Sequence, residues 1–251
     1  MARLTGDRLT KRGVLENTRR IGFSPGSIID VGFAVGTEGL FDVFDGVRHL
    51  LIDPIAEAEP AMQAFCQAHP GSSYLVAAAS DKVGEAPIVA RDGITGSSFH
   101  TKMKQEFGKV RWVPTVKLDD VVAAQDLPGP YLLKLDVEGH EMHVLRGARE
   151  RCLPRTELAI LEISTWSEDH SKGRPSMMDL FRFMEDQGFV FYEFTEPGFR
   201  PVDGALYMFD AVFVRTDSVL RRQRSHRTTE QMQESYRAKA EKTAASLKAH
   251  G

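Results

Sequence analysis

From Ser27 onward, short apolar runs alternate with stretches whose apolar residues recur at helical spacing. The runs Ser27–Val31, His49–Asp53, Tyr74–Ala79, Tyr131–Asp136, Glu157–Ile163, Phe189–Phe194 and Ala211–Arg215 read as strands, rich in β-branched, Leu and aromatic side chains. Between them, Gly39–Phe44, Ala56–Ala68, Leu118–Ala124, Glu141–Arg151 and Met177–Gln187 read as helices, the last with a core-facing stripe of Met177, Met178, Leu180, Phe181 and Met184. Strand–helix alternation predicts an α/β protein with a mostly parallel sheet and helices on both faces. The last two runs leave room for an antiparallel hairpin at the sheet edge.

The pattern weakens between Lys82 and Pro114, where Gly84, Pro87, Gly93, Gly96 and Ser97–Ser98 punctuate it. Short strands are expected there at Ile88–Ala90 and Val110–Val113, in what is either a binding loop or a surface hairpin. The alternating region, residues 27–216, is flanked by an amphipathic helical segment within 1–26 and a helix-prone tail within 217–251. Residues 221–251 carry eight Lys or Arg against three Glu and almost no large apolar side chain, which reads as a solvated helix. The termini are the places offered for a homo-oligomer.

With 251 residues, 42% of them hydrophobic, the chain can bury one sizeable core. A formal charge of −3 supplies no field for nucleic acid or an acidic membrane. No run approaches the ~20 apolar residues of a membrane span, and residues 1–20 lack the apolar segment of a signal peptide. Cys66 and Cys152 show no pairing pattern and read as free thiols. The expectation is a cytoplasmic protein with neither nucleic acid nor a membrane span among its partners.

The first candidate site is the loop Asp30–Val31–Gly32–Phe33–Ala34–Val35–Gly36–Thr37–Glu38–Gly39, which leaves the first strand and enters a helix. A glycine at the carboxyl end of a first parallel strand lets the backbone turn tightly against a ligand, and the helix after it offers unpaired N–H groups to an anionic end. The spacing is not G-x-G-x-x-G, which a dinucleotide pyrophosphate prefers. That favours S-adenosylmethionine, with its methionine carboxylate, over NAD(P). Asp30, Gly32, Gly36 and Glu38 are the cofactor candidates within the loop. Asp53 ends the second strand, where a carboxylate binds ribose hydroxyls; it is equally a turn former before Pro54. Ser80 and Asp81 end the third strand, either facing an adenine or as ordinary turn chemistry.

The second candidate site is Lys134–Leu135–Asp136–Val137–Glu138–Gly139–His140–Glu141. An apolar strand rarely carries several charges unless they pair with one another or with a ligand. Methyl transfer to a hydroxyl needs an aligned acceptor and a base for its proton, and Asp136, Glu138 and His140 are the candidates. Asp136, Glu138 and Glu162, the last on the neighbouring strand, are also a set able to hold Mg²⁺. The plainer reading is a network satisfying the free N–H groups at a helix entry. His140 and His143 lack the H-E-x-x-H spacing of a zinc site. Asp119 or Asp120 reads as a helix cap, and Trp166, Glu168, Asp169 and His170 as acceptor-pocket lining or an ordinary polar loop.

These motifs, in order, resemble the FkbM family of methyltransferases. The matching stretches are Arg20–Ile21–Gly22–Phe23–Ser24–Pro25 leading into Ile28–Ile29–Asp30–Val31–Gly32, then Ile52–Asp53–Pro54, Val116–Lys117–Leu118–Asp119–Asp120, Leu133–Lys134–Leu135–Asp136–Val137–Glu138–Gly139–His140–Glu141, Val144–Leu145–Arg146–Gly147–Ala148 and Ile160–Leu161–Glu162–Ile163. The resemblance implies a class I methyltransferase (Rossmann-like) fold with a seven-stranded sheet. It implies S-adenosylmethionine-dependent O-methylation, typically of sugar hydroxyls or natural products. Asp30, Gly32, Gly36 and Asp53 would be cofactor residues, and Asp136, Glu138 and Glu162 would lie at the acceptor side. Two departures stand out: the family usually has Glu where this chain has Asp53, and Ala is common where Phe33 stands. The competing readings are a non-catalytic module that binds cofactor and acts through a partner, and an NAD(P)-binding oxidoreductase.

Overall fold

A computed structural model describes residues 6–37, 39–91, 108–166, 175–223, 225 and 227–249. Among these the strands are β1 Ser27–Val31, β2 Arg48–Asp53, β3 Ser73–Val76, β4 Ala78–Ala79, β5 Gly84–Arg91, β6 Gly108–Val116, β7 Tyr131–Leu135, β8 Thr156–Ser164, β9 Phe189–Phe199 and β10 Leu206–Arg215. The helices are α1 Lys11–Ile21, α2 Leu40–Val43, α3 Glu59–Ala68, α4 Leu118–Gln125, α5 Glu141–Arg146, α6 Met177–Asp186 and α7 Thr229–Ala249.

Seven strands form one sheet in the order β3-β2-β1-β7-β8-β10-β9. The first five run parallel, β10 runs antiparallel to β8, and β9 pairs antiparallel with β10. The order reverses between β1 and β7, which opens a crevice beyond the carboxyl ends of those strands, the usual place for a ligand in an open α/β sheet. This is the class I methyltransferase architecture.

Side chains alternate across the sheet. Ile29, Val31, Leu133, Leu135, Ala159, Leu161, Ala211 and Phe213 pack on one face against α4, α5 and α6. Ile28, Leu132, Leu158, Ile160, Val212 and Val214 pack on the other against α1 and α2. Helix α1 is therefore part of the core and not an appendage: Val14 and Leu15 are fully buried. Thr10 caps its start and Gly22, at φ 111°, ends it. The helix runs back along the sheet, so its first residues reach the crevice edge. Ser176 and Asp179 form a capping box that starts α6.

Two elements differ from the sequence expectation. The run Tyr74–Ala79 divides: β3 follows β2 as far as Val76, then Ala78–Ala79 pairs with Thr115–Val116 in a separate three-stranded sheet with β5 and β6. Within the weakly patterned region β5 and β6 pair antiparallel, and residues 92–107 between them lie outside the described set. The helix expected over Glu141–Arg151 stops at Arg146. Gly147 lies so close to β4 that a Cβ there would sit 2.0 Å from the Ser80 carbonyl oxygen. Beyond it, both Asp119 oxygens accept N–H groups of Glu150, Arg151 and Cys152 at 2.8 Å. Asp119 therefore clamps this turn and does not cap α4, whose own cap residue, Lys117, makes no side-chain capping bond.

The tail forms α7, whose described side chains are exposed apart from half-buried Met232 and Ser235. Cys66 and Cys152 are both free, and burial pushes the Cys152 thiol up to about 12. Among the described residues no helix is long and apolar enough to cross a membrane.

Candidate active site

The sheet register aligns the residues that leave the strands. Val31 pairs with Ile52 on one side and Leu135 on the other, Leu135 pairs with Leu161, and Glu162 pairs directly with Asp210. One residue further along, Asp53, Gly32, Asp136, Glu162 and Asp210 therefore stand in a row across the crevice edge. Alternation puts Asp30 and Lys134, two residues back, on the same face as Asp136.

Gly32 lies where the row turns into the loop. Its φ is +82°, and a Cβ would meet the Asp136 carbonyl oxygen at 1.8 Å, so no larger residue fits between β1 and β7. The Lys134 ammonium secures this point, donating to the Gly32 carbonyl at 2.6 Å and lying 3.1 Å from Asp30 and 3.5 Å from Asp136. Burial works against the Lys134 charge, but the two carboxylates override it and raise its pKa. Burial likewise raises the Asp30 carboxyl, with Lys134 and Thr37 opposing. Thr37 donates its hydroxyl to Asp30 at 3.1 Å, tying the loop's far end to the strand. Asp30 is fully buried and so orders the loop from beneath.

Asp53 also shapes the loop. Its two oxygens accept the N–H groups of Ala34 and Ile55, each at 2.8 Å. A carboxylate oxygen has a second lone pair, so Asp53 brackets the loop and can still accept from a ribose. Gly36, at φ +112°, closes the turn by donating to the Phe33 carbonyl at 2.8 Å. Glu38 lies outside the described residues, as do Glu168, Asp169 and His170.

The acids right of Gly32 crowd one another. Burial, together with the charges of Asp136, Glu138, Glu141 and Asp210, pushes the Glu162 carboxyl up to about 9. At neutral pH that side chain carries its proton. Burial pushes Glu141 up to about 7. Its Oε1 accepts from Val137 at 3.3 Å and Gly139 at 3.1 Å, so Glu141 holds the turn in which Glu138 sits at φ 55°. Asp136 has a side chain 35% exposed and can reach an acceptor.

His140 is buried, its Nε2 lies 3.0 Å from the Ser80 hydroxyl, and its ring stacks on His143 at 4.4 Å. His143 in turn reaches Asp81 at 3.1 Å. The two histidines thus meet the two cofactor candidates at the end of β4, His140 through Ser80 and His143 through Asp81. Among the described residues no three His, Cys, Asp or Glu side chains are gathered as metal ligands, so the set Asp136, Glu138 and Glu162 gains no support for Mg²⁺.

Two site residues escape a reading of the chain. Asp210 is a lone charge inside the apolar strand β10, and Lys11 opens α1; their side chains meet at 2.5 Å. The Lys11 N–H also donates to Glu196, Arg8 pairs with Glu193, and Arg12 pairs with Asp42 beside the loop. The amino-terminal segment thereby bridges the cofactor loop and the β9–β10 hairpin. A charge inside an apolar strand is the signal that marked the Lys134–Glu141 segment, and Asp210 carries it too.

A cleft of about 520 Å³ opens at the opposite sheet edge, lined among others by Arg155, Glu157, Arg215 and Asp217. Two of its guanidinium groups are engaged, Arg155 with the Leu127 carbonyl and Arg215 with that of Gln187. The acid row and the glycine loop lie elsewhere, so the chemistry is not in that cleft.

Comparison with known proteins gives a family. A family model described as the methyltransferase FkbM domain matches residues 38–191. No curated protein matches. Among solved structures, an FkbM methyltransferase from Methylobacillus flagellatus is 16% identical with a TM-score of 0.45; the match covers 75% of this chain and 44% of that one. The chain thus spans less than half of that structure's length. A magnesium protoporphyrin IX methyltransferase from Synechocystis, with S-adenosylmethionine bound, is 12% identical over 86% of this chain and 85% of that one, TM-score 0.43. A Burkholderia thailandensis 1,6-didemethyltoxoflavin-N1-methyltransferase, with S-adenosylhomocysteine bound, is 12% identical over 81% and 77%, TM-score 0.41. With its family model covering β2, Asp53, the carboxylate run and β8, this chain belongs to the FkbM methyltransferase domain family.

Proposed function

We propose that the chain is an S-adenosylmethionine-dependent O-methyltransferase acting on a hydroxyl of a sugar or glycosylated natural product. The observation that carries this reading is the row of Asp136, Glu162 and Asp210 beside the Gly32 turn. Bound S-adenosylmethionine supplies an electrophilic methyl on a sulfonium with a good leaving group. Gly32, Gly36 and Asp53 would hold it along the loop, with Asp30 and Lys134 fixing the loop's shape.

The chain's own residues then have an acceptor to align and a proton to take. Asp136, beside Lys134 and partly exposed, accepts the hydroxyl proton. Glu162, protonated at neutral pH, donates a hydrogen bond and keeps the acceptor oxygen in place. Lys11 neutralises Asp210, which limits repulsion along the row. A hydroxyl suits this arrangement because its proton needs a nearby carboxylate acceptor.

The test is calorimetric titration of the full chain with S-adenosylmethionine and with NAD, followed by transfer of a labelled methyl to a panel of glycosides and polyols, with and without Mg²⁺. The expected result is cofactor binding and a methylated glycoside. Absence of S-adenosylmethionine binding overturns the reading, and transfer confined to amine acceptors overturns the O-methylation part of it.

A further inference from the structure

Beyond the acid row, β8 ends in a seam that joins it to the tip of the β9–β10 hairpin. The Thr165 N–H donates to the Tyr207 carbonyl at 2.9 Å, and its hydroxyl to the Leu206 carbonyl at 2.6 Å. Trp166 follows, half-exposed. Across from it, Arg200 closes the hairpin turn by donating its N–H to the Ala205 carbonyl at 2.8 Å. Its guanidinium carbon lies 3.8 Å from the centre of the Trp166 ring.

This guanidinium is held but not satisfied. One edge faces Asp203, with Nε 3.5 Å from the carboxylate. The flat face rests on the indole. Nη1 is buried and has no hydrogen-bond partner among the described residues. A guanidinium carries five donors in a fixed fork, suited to the paired oxygens of a carboxylate or phosphate. A buried donor left without a partner beside a functional edge marks the place of a missing acceptor atom.

Its position gives it a use. Trp166 is four residues past Glu162, so the stack lies within about 13 Å of the acid row at ~3.3 Å per residue. The hairpin tip beside the stack exposes Phe199, Leu206 and Tyr207, on which a ring can lie. The row itself is negative and repels an anion. An acceptor with an anionic end is therefore drawn one way round, anion at Arg200 and hydroxyl at the row.

We propose that Arg200, held flat on Trp166, seats an anionic group of the acceptor, a carboxylate or a phosphate, and so selects which hydroxyl reaches Asp136. This rests on the methyl-transfer reading for what happens at the other end of the acceptor. It adds a substrate class, acidic glycosides or sugar phosphates, and a residue that recognises it.

The test titrates the full chain calorimetrically with methyl glucuronide, glucose 6-phosphate and methyl glucoside, and in parallel with S-adenosylmethionine. Charge-assisted hydrogen bonds of this kind correspond to roughly a 10- to 100-fold affinity difference. At least one anionic probe should bind the wild type tenfold or more tighter than the neutral glucoside, and which of the two does so separates carboxylate from phosphate. Arg200→Gln should abolish the preference, while Arg200→Lys, which keeps the charge but not the fork, should restore part of it. Thermal unfolding and cofactor affinity of both variants report their folding. A wild type without preference, or a preference that survives in folded Arg200→Gln, overturns the proposal. Retained S-adenosylmethionine binding in that case leaves the methyltransferase reading standing; loss of cofactor binding overturns the latter alone.

Discussion

The Lys134 ammonium lies 3.1 Å from Asp30, and the two side chains are 3% and 0% exposed. The pair joins neighbouring strands at the residue level below the glycine turn. Removing one member leaves a buried charge uncompensated, which costs about 3–5 kcal/mol. Lys134→Met should lower unfolding stability by that amount in urea titrations. Adding Asp30→Leu should recover much of the loss, since a matched apolar pair carries no desolvation cost. A double variant as unstable as the single one would show that the ion pair is not the origin of the effect.

Asp136→Asn keeps the shape of the row but removes its proton acceptor. Methyl transfer should fall by roughly 10²–10⁴-fold, the usual contribution of a positioned base, while S-adenosylmethionine affinity stays within a few-fold. Single-turnover rates and calorimetry on the same preparation separate the two effects. Full turnover in this variant removes Asp136 from its role.

Glu162 links the site to pH. Its carboxyl stands at about 9 in the folded chain against an ordinary value of 4.5, chiefly through burial, with the neighbouring acids adding to it. The folded chain holds a proton that the unfolded chain releases, so this contribution to stability is complete below about 4.5 and drains away as pH rises through about 9. Glu162→Gln has no such proton to lose. Its melting temperature should gain steadily on the wild type between pH 5 and pH 9 in a buffer series. Parallel curves would place the raised pKa elsewhere.

Asp119 offers a contrast, because it serves the fold and not the reaction. Its carboxylate receives the N–H groups of Glu150, Arg151 and Cys152. Asp119→Ala should destabilise the chain by about 3 kcal/mol, as expected when charge-assisted hydrogen bonds to a buried turn are lost. Cofactor affinity measured well below the melting temperature should be unchanged. A specific loss of cofactor binding would instead bring Asp119 into the site.

The parts of this molecule that read directly from the chain are those set by local chemistry. Ser27–Val31 is an apolar run closed by Gly26 and Gly32, and it is a strand with those limits. The apolar stripe of Met177–Gln187 reads as a helix, and α6 follows it as far as Asp186. The family motifs are legible too, and the structure supplies their physical reasons: Gly147 passes against Ser80, and Asp119 clamps residues 150–152. What escapes is set by partners distant in sequence. Nothing within Tyr74–Ala79 announces that its last two residues pair with β6 in another sheet. Nor does the segment around His140 announce that its ring meets Ser80, on a different strand end. Lys11 and Asp210 meet only because α1 runs back along the sheet to the crevice edge.

The acid row has an evolutionary consequence. Carboxyl groups ranged side by side at one sheet edge repel one another and resist burial, so the folded chain forgoes stability to keep them there. Neutral substitutions along this row are where selection for heat resistance alone should lead first, and the enzymes it produced would be sturdier and inactive. An engineer wanting a hardier catalyst should leave Asp136, Glu162 and Asp210 untouched and begin on the opposite face, around α4 and α6.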